Sequence, residues 1–343
     1  MKLLVTGGAG FIGTNFIRYW LKEYPDDVIV NLDRLTYAGN LTNLSDIVLV
    51  YSDRYAFAHG DILDGTFVSE LVETHQPDVI VNFAAESHNS RAILNPREFF
   101  ATNVMGTQVL LDVVRQYEVP RFHHISTCEV YGELPLDSAD AFAETAPYRP
   151  QTPYNASKAS ADHLVNAYFH SFGLPITISN CSNNYGPYQH PEKLIPLFST
   201  NAIRDLPLTL YRSSHNRREW LHVDDHCRAI ASVIHNGKIG ETYNVGSGIE
   251  KSIEEISDFI LDGLGKPKRL KTYVPDRPGH DCRYLLDSGK IHRELGWKPI
   301  IPFEEGMRQT IQWYVENQDW WEKIQQDAET SSVEEDKWEK FSR

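Results

Sequence analysis

The segment that most limits what this chain can fold into is Gly7-Gly8-Ala9-Gly10-Phe11-Ile12-Gly13. It follows the short apolar run Lys2-Leu3-Leu4-Val5-Thr6 and opens a periodic stretch over 11–21 that predicts a helix. Glycines at 7, 10 and 13 permit a tight turn, close approach of backbone to a pyrophosphate, and close helix–sheet packing. The helix start then offers N–H donors and a positive dipole end to phosphate. Asp33 ends a second strand-like run, Val28-Ile29-Val30-Asn31-Leu32, at the spacing of about 20 residues that a dinucleotide fingerprint requires. A glycine turn alone is a weak signal, but this context predicts a dinucleotide site. Asp33 suits a ribose diol and repels a 2′-phosphate, which favours NAD over NADP; neighbouring Arg34 speaks for the opposite choice.

Two more β-rich runs follow, Asp78-Val79-Ile80-Val81-Asn82-Phe83 and Arg121-Phe122-His123-His124-Ile125-Ser126. Strands alternating with helical patterns predict an α/β fold, a doubly wound parallel sheet covered on both faces. With 343 residues the chain has room for a second unit, since domains average about 150 residues. Beyond residue 180 the texture changes. Asn183-Asn184-Tyr185-Gly186-Pro187-Tyr188 is loop-like, and strand-like pieces such as Leu208-Thr209-Leu210-Tyr211 are short. The expected division is a nucleotide-binding domain over 1–180, a smaller C-terminal substrate-binding lobe over 181–322 with some segments returning to the main sheet, and a charged tail over 323–343.

The charge balance narrows the partners. Lys and Arg number 33 against 47 acidic residues, a net charge of −14. That disfavours nucleic acid and polybasic membrane anchoring, so an anionic ligand needs a local positive site. No run of about 18 apolar residues suggests a membrane span, and residues 1–8 lack the features of a signal peptide. Cys128, Cys181, Cys227 and Cys282 stand far apart with no CxxC, which points to a reducing, cytoplasmic location and no zinc site. The histidines show no metal-ligand spacing, so no metal is expected. Trp313, Trp320 and Trp321 are read as packing residues. Glu86 is either a catalytic carboxylate or a buried structural one.

Tyr154 and Lys158 are four residues apart, hence on one face if helical. An ammonium beside a phenol favours phenolate and would bring the tyrosine toward the operating pH. Such a tyrosine can take a proton from a sugar hydroxyl while hydride leaves the same carbon. Ser126-Thr127 at the end of a strand upstream strengthens the pattern.

These residues, with Leu35-Thr36-Tyr37-Ala38-Gly39, Ala84-Ala85-Glu86-Ser87-His88, Ser126 through Gly132, Asn180 through Pro187, Pro191 through Pro196 and Asp276 through Asp281, resemble the extended short-chain dehydrogenase/reductase family. Within it the chain is similar to the nucleoside-diphosphate-glucose 4,6-dehydratases, most of all those acting on dTDP-glucose. The resemblance spans about 1–321. It implies a Rossmann-type sheet, tightly bound NAD, a nucleoside-diphosphate sugar substrate, and a homodimer built from helices near 97–117 and 154–172. Tyr154 would deprotonate the C4 hydroxyl, Lys158 would hold the nicotinamide ribose, Thr127 would contact the C4 oxygen, and Glu129 would remove the C5 proton. Gly7, Gly10, Phe11, Ile12, Gly13, Asp33, Arg34, Leu35, Thr36, Asp61, Ile62, Ala84, Ala85, Ser87, Thr102 and Asn184 would join Tyr154 and Lys158 in the cofactor site. His88, Asn183, Lys193, Leu194, Tyr211, Arg218, Arg277 and His280 would face the substrate, with Arg218 on the diphosphate.

Cys128 stands where the resemblance places an aspartic acid that protonates the departing C6 hydroxyl. A thiol is mostly protonated at neutral pH but is a weak hydrogen-bond donor. Asn89-Ser90 and Tyr211-Arg212-Ser213-Ser214 also depart from the pattern. Three readings therefore stand: a 4,6-dehydratase giving a 4-keto-6-deoxy sugar; a related C4-epimerase or 5,6-alkene-forming dehydratase; and a nucleotide-sugar or NAD-binding protein with little catalysis.

Overall fold

The computed structural model describes residues 1–276 and 281–330. The expected site residues Arg277 and His280, and the end of the expected tail over 331–343, lie outside the described residues. Strands β1 (Lys2–Thr6), β2 (Val28–Asp33), β3 (Tyr55–His59), β4 (Val79–Asn82), β5 (Phe122–Thr127) and β6 (Ile176–Cys181) fall where β-branched and apolar residues cluster. They are followed by β7 (Asn183–Tyr185), β8 (Leu208–Tyr211), β9 (Arg217–His222), β10 (Thr242–Val245), β11 (Glu250–Ser252) and β12 (Lys271–Val274). Seven strands form one sheet in the order β10-β6-β5-β4-β1-β2-β3, with every pairing parallel. The expected doubly wound parallel α/β sheet is borne out. β10 comes from the C-terminal half of the chain and completes this sheet. The remaining strands make two small sheets, β11-β9-β7 and β12-β8.

Both faces of the main sheet are covered, which explains its near-continuous apolar strands. Leu3, Val5, Val79 and Val81 on one face pack with Phe16 and Trp20 of the helix Phe11–Glu23 and with Ile230 and Ile234 of the helix Val223–Asn236. Ile80, Phe122 and Ile178 on the other face pack with Val68, Leu110, Leu111 and Val165 from three further helices. A separate core of Tyr185, Phe198, Trp220, Ile256, Phe303 and Met307 lies under the smaller sheets.

The helix Pro153–Phe172 carries the Tyr-Lys pair. Its ends follow from sequence: Thr152 caps it by accepting from Asn155 N, Pro153 occupies the first turn where an N–H is dispensable, and Gly173 closes it at φ 71°. The helix Gln318–Thr330 extends through the start of the expected tail. Trp321 is fully buried, and Trp320 Nε1 donates to Asn43 Oδ1 at 2.8 Å, which ties this helix to the N-terminal half. No described helix is long and apolar enough to cross a membrane.

Phe122 is fully buried at the start of β5. Replacing it with alanine is expected to cost about 3–5 kcal/mol, read as a lower urea midpoint. A loss under about 1 kcal/mol would mean that this face of the sheet is not the close-packed layer described.

Candidate active site

Strand order reverses direction at β1, with β2 on one side and β4 on the other. In open α/β sheets that reversal opens a crevice at the carboxyl ends of the strands. Here it holds a cleft of about 480 Å³, a size suited to a bound small molecule. The glycine turn forms its floor. Gly7 has φ +70°, and a Cβ there would lie 2.6 Å from Ala84 N; a Cβ on Gly13 would lie 2.4 Å from Gly7 O. The turn and the helix behind it therefore close only with hydrogen at these positions.

Asp33 Oδ2 accepts from Ala9 N at 2.9 Å and Oδ1 from Leu35 N at 2.8 Å. Burial pushes its carboxyl up, against these two donors. Arg34 pairs with Asp61 at 3.1 Å, so its guanidinium is engaged by a carboxylate. The narrow glycine cradle and the acid at the end of β2 fit a dinucleotide with a free ribose diol. All the expected cofactor residues line the cleft except Leu35. Leu35 contributes backbone instead, in a left-handed conformation with φ 57°.

At the inner end, β5 stops at Thr127 and a 3₁₀ turn, Cys128–Tyr131, presents Glu129. The Thr127 hydroxyl accepts from Glu129 N at 3.3 Å. Thr127, Glu129, Tyr154 and Lys158 all line the cleft. Asn89 Nδ2 donates to Glu129 Oε2 at 3.1 Å.

The Tyr-Lys pair differs from expectation in one respect. Lys158 Nζ donates to Ile125 O at 2.6 Å and lies 3.4 Å from His124 Nε2. It does not bring the phenol down. Burial, then Glu129, push the Tyr154 hydroxyl well above the ordinary tyrosine range. Burial also lowers Lys158, opposed by the carboxyl of Asp162. Asp162 accepts from Ser126 Oγ at 2.7 Å and Tyr148 OH at 3.0 Å. Its other oxygen lies 3.5 Å from His124 Nε2. His124 is held neutral by burial and by Lys158. Sequence reading missed this layer, although Lys158 and Asp162 repeat the i, i+4 spacing of Tyr154 and Lys158.

Cys128 is 1% exposed and packs with Val130, Tyr131, Ala159, Tyr284 and Leu286. It does not line the cleft, because the 3₁₀ turn points Glu129 in and Cys128 under. Burial holds its thiol protonated. Cys181 reaches the cleft wall.

Among the expected substrate residues, His88, Asn183, Lys193 and Leu194 line the cleft and Tyr211 and Arg218 do not. Arg218 spends its guanidinium on the carbonyls of Asp281 (2.7 Å), Arg217 (2.9 Å) and Cys282 (3.3 Å) and lies over the Tyr284 ring. The cleft wall holds a cluster the sequence did not announce. The Glu192 carboxylate lies 3.5 Å from Lys193 Nζ, 3.6 Å from Arg91 Nε and 3.8 Å from His88 Nε2. Glu192 is brought down by these cations, foremost Lys193, in spite of its burial.

A family described as GDP-mannose 4,6-dehydratase matches residues 4–310. The chain belongs to that family. It is 48% identical to the dTDP-glucose 4,6-dehydratase of Salmonella typhimurium, over 97% of this chain and 98% of that protein. The crystal structure of the Streptomyces venezuelae dTDP-glucose 4,6-dehydratase DesIV with NAD bound is 47% identical, with a TM-score of 0.91 over 94% of this chain and all of that one. The UDP-glucose 4-epimerase of Thermotoga maritima shares the fold at 26% identity, with a TM-score of 0.85 over 93% of this chain and all of that one. The family expectation drawn from the motifs is borne out.

Asp162 is pushed up to about 6 by burial, against about 3.9 for an exposed aspartate. A raised carboxyl favours the protonated native state, so its contribution is fully present below about pH 3.9 and is lost as pH rises through about 6. Asp162→Asn removes that titration. Its stability relative to the natural protein, followed by urea unfolding against pH, is expected to rise across this window. A relative fall would mean that Lys158 keeps Asp162 ionised in the core.

Proposed function

We propose that this protein dehydrates a nucleotide-activated glucose, dTDP-glucose in preference, to the 4-keto-6-deoxy sugar, with NAD held throughout turnover. The convergence of Thr127, Glu129, Tyr154 and Lys158 at the inner end of the dinucleotide cleft carries this reading. NAD, when bound over the glycine turn, supplies a reversible hydride acceptor.

Each remaining task falls to a side chain of the cleft. Thr127 orients the C4 oxygen, and Tyr154 takes the proton of the C4 hydroxyl. Lys158, one helical turn away, is assigned to the nicotinamide ribose. A ketone at C4 acidifies C5, and Glu129 removes the C5 proton. The C6–O bond then breaks, and the hydroxyl leaves as water. Because Cys128 lies under the cleft, we assign that second proton transfer to Glu129 as well, returning the proton it took from C5; C6 then takes back the hydride lost from C4, C5 takes a proton from water, and Tyr154 releases to water the proton it gained. His88, Asn183 and Lys193 are the wall residues assigned to the nucleotide sugar.

The epimerase reading is disfavoured by the much higher identity to dehydratases than to epimerases. We assign a homodimer to the helical faces that expose Phe100, Met105 and Phe172; a monomeric sedimentation coefficient at micromolar protein would remove it. Four unpaired cysteines fit a cytoplasmic location.

Proton NMR of the protein with dTDP-glucose, and with UDP-glucose and UDP-N-acetylglucosamine in parallel, is expected to show a new C6 methyl group and a hydrated C4 ketone. A C4 epimer, an alkene, or unchanged substrate in all three samples would overturn the proposal. Tyr154→Phe is expected to lower kcat by roughly 10²–10⁴-fold. Cys128→Ala should stay within about tenfold of the natural protein, whereas a loss in the 10²–10⁴ range would make the thiol the acid.

A further inference from the structure

One hydrogen-bonded chain at the cleft joins three elements that are far apart in sequence. Thr152 Oγ1 donates to Asn89 Oδ1 at 2.7 Å, and Asn89 Nδ2 donates to Glu129 Oε2 at 3.1 Å. Thr152 is the cap of the helix that bears Tyr154, and Glu129 sits on the 3₁₀ turn after β5. The direction of the chain is determined. Thr152 Oγ1 already accepts from Asn155 N at 3.2 Å, and its one hydrogen goes to Asn89 Oδ1. The amide nitrogen must therefore face Glu129, since a flipped amide would set an oxygen against a carboxylate oxygen.

The support for Asn89 is itself anchored. It is the first residue of the short helix Asn89–Leu94, whose cap, His88, accepts from Arg91 N at 3.3 Å. His88 and Arg91 both reach Glu192 in the cleft wall. Glu129 has three rotatable side-chain bonds and stands on a four-residue turn, so a fixed donor on its carboxylate restricts where the basic oxygen lies. Displacement of a reacting group by about 1 Å can cost about 10²-fold in rate.

We propose that Asn89 is a positioning residue: its carboxamide fixes the Glu129 carboxylate relative to the start of the Tyr154 helix, so that the groups acting at C5 and at C4 of the sugar are set by one strut. This rests on the dehydratase reading above. It adds a residue that touches neither the reacting carbons nor the cofactor turn in that mechanism.

Two substitutions separate positioning from a merely structural link. Asn89→Asp keeps the volume and the acceptor for Thr152 but turns an oxygen toward Glu129. Asn89→Leu removes both contacts. With dTDP-glucose, kcat is expected to fall roughly 10–100-fold in both variants, with Asn89→Asp no faster than Asn89→Leu and KM little changed. The slowed step should be removal of the C5 proton. A primary isotope effect from C5-deuterated substrate should then grow, the effect from C4-deuterated substrate should shrink, and the near-ultraviolet absorbance of reduced nicotinamide should build up during turnover. An Asn89→Asp variant at the natural rate, with or without a slow Asn89→Leu, would overturn the proposal, as would both isotope effects changing together.

A double-mutant cycle of Asn89→Leu with Glu129→Ala in urea reads the same contact without any substrate. Coupling is expected to change the unfolding equilibrium by roughly fivefold, and no coupling would overturn the proposal. Failure of the dehydratase reading would show differently, as absence of keto sugar from the natural protein.

Discussion

The site depends on backbone contact at the end of β1. Gly7 lies so close to Ala84 at the end of β4, and Gly13 so close to Gly7, that a single methyl group at either position would displace main chain. That contact brings the first helix down onto the sheet at the point where strand order reverses. The crevice, its N–H donors and the placement of Asp33 all follow from it. Side chains added later in the chain decorate a cleft whose floor is set by hydrogen atoms.

A second constraint lies one layer deeper. Lys158 is a fully enclosed cation whose nearest partners are a carbonyl oxygen, a neutral histidine and a carboxyl that burial itself disfavours in the charged form. Burial lowers the Lys158 ammonium, and the Asp162 carboxyl opposes that shift. Tyr154 is correspondingly held as the phenol in this state.

Legibility from sequence varied with the range of the interaction. β1, β2, β4 and β5 and the helix after the glycine turn were readable because apolar runs, glycine and the Asp33 spacing are local signals. The Tyr154 and Lys158 face was readable from helical geometry. Asn89, Glu192, Asp162 and the burial of Cys128 under the cleft were not, because they depend on partners such as Glu129, His88 and Ser126, between 36 and 104 residues away along the chain, or on the fold of a four-residue turn. Arg218 shows the converse: an arginine suited to phosphate by type is bonded to carbonyls in the folded chain, since β9 brings it beside Asp281 and Cys282.

What the sequence by itself determined is the class of fold, the dinucleotide turn and the residue types available for proton transfer, since these depend on steric permission and periodicity within a few residues. The tertiary structure alone decided which of those residues meet. Parallel pairing of β5 with β4 and β6 sets Thr127 and Glu129 beside Tyr154, and the packing of the short helix at Asn89 in the cleft wall decides which donor faces Glu129. Those outcomes depend on how distant segments share one buried volume, and no local pattern encodes it.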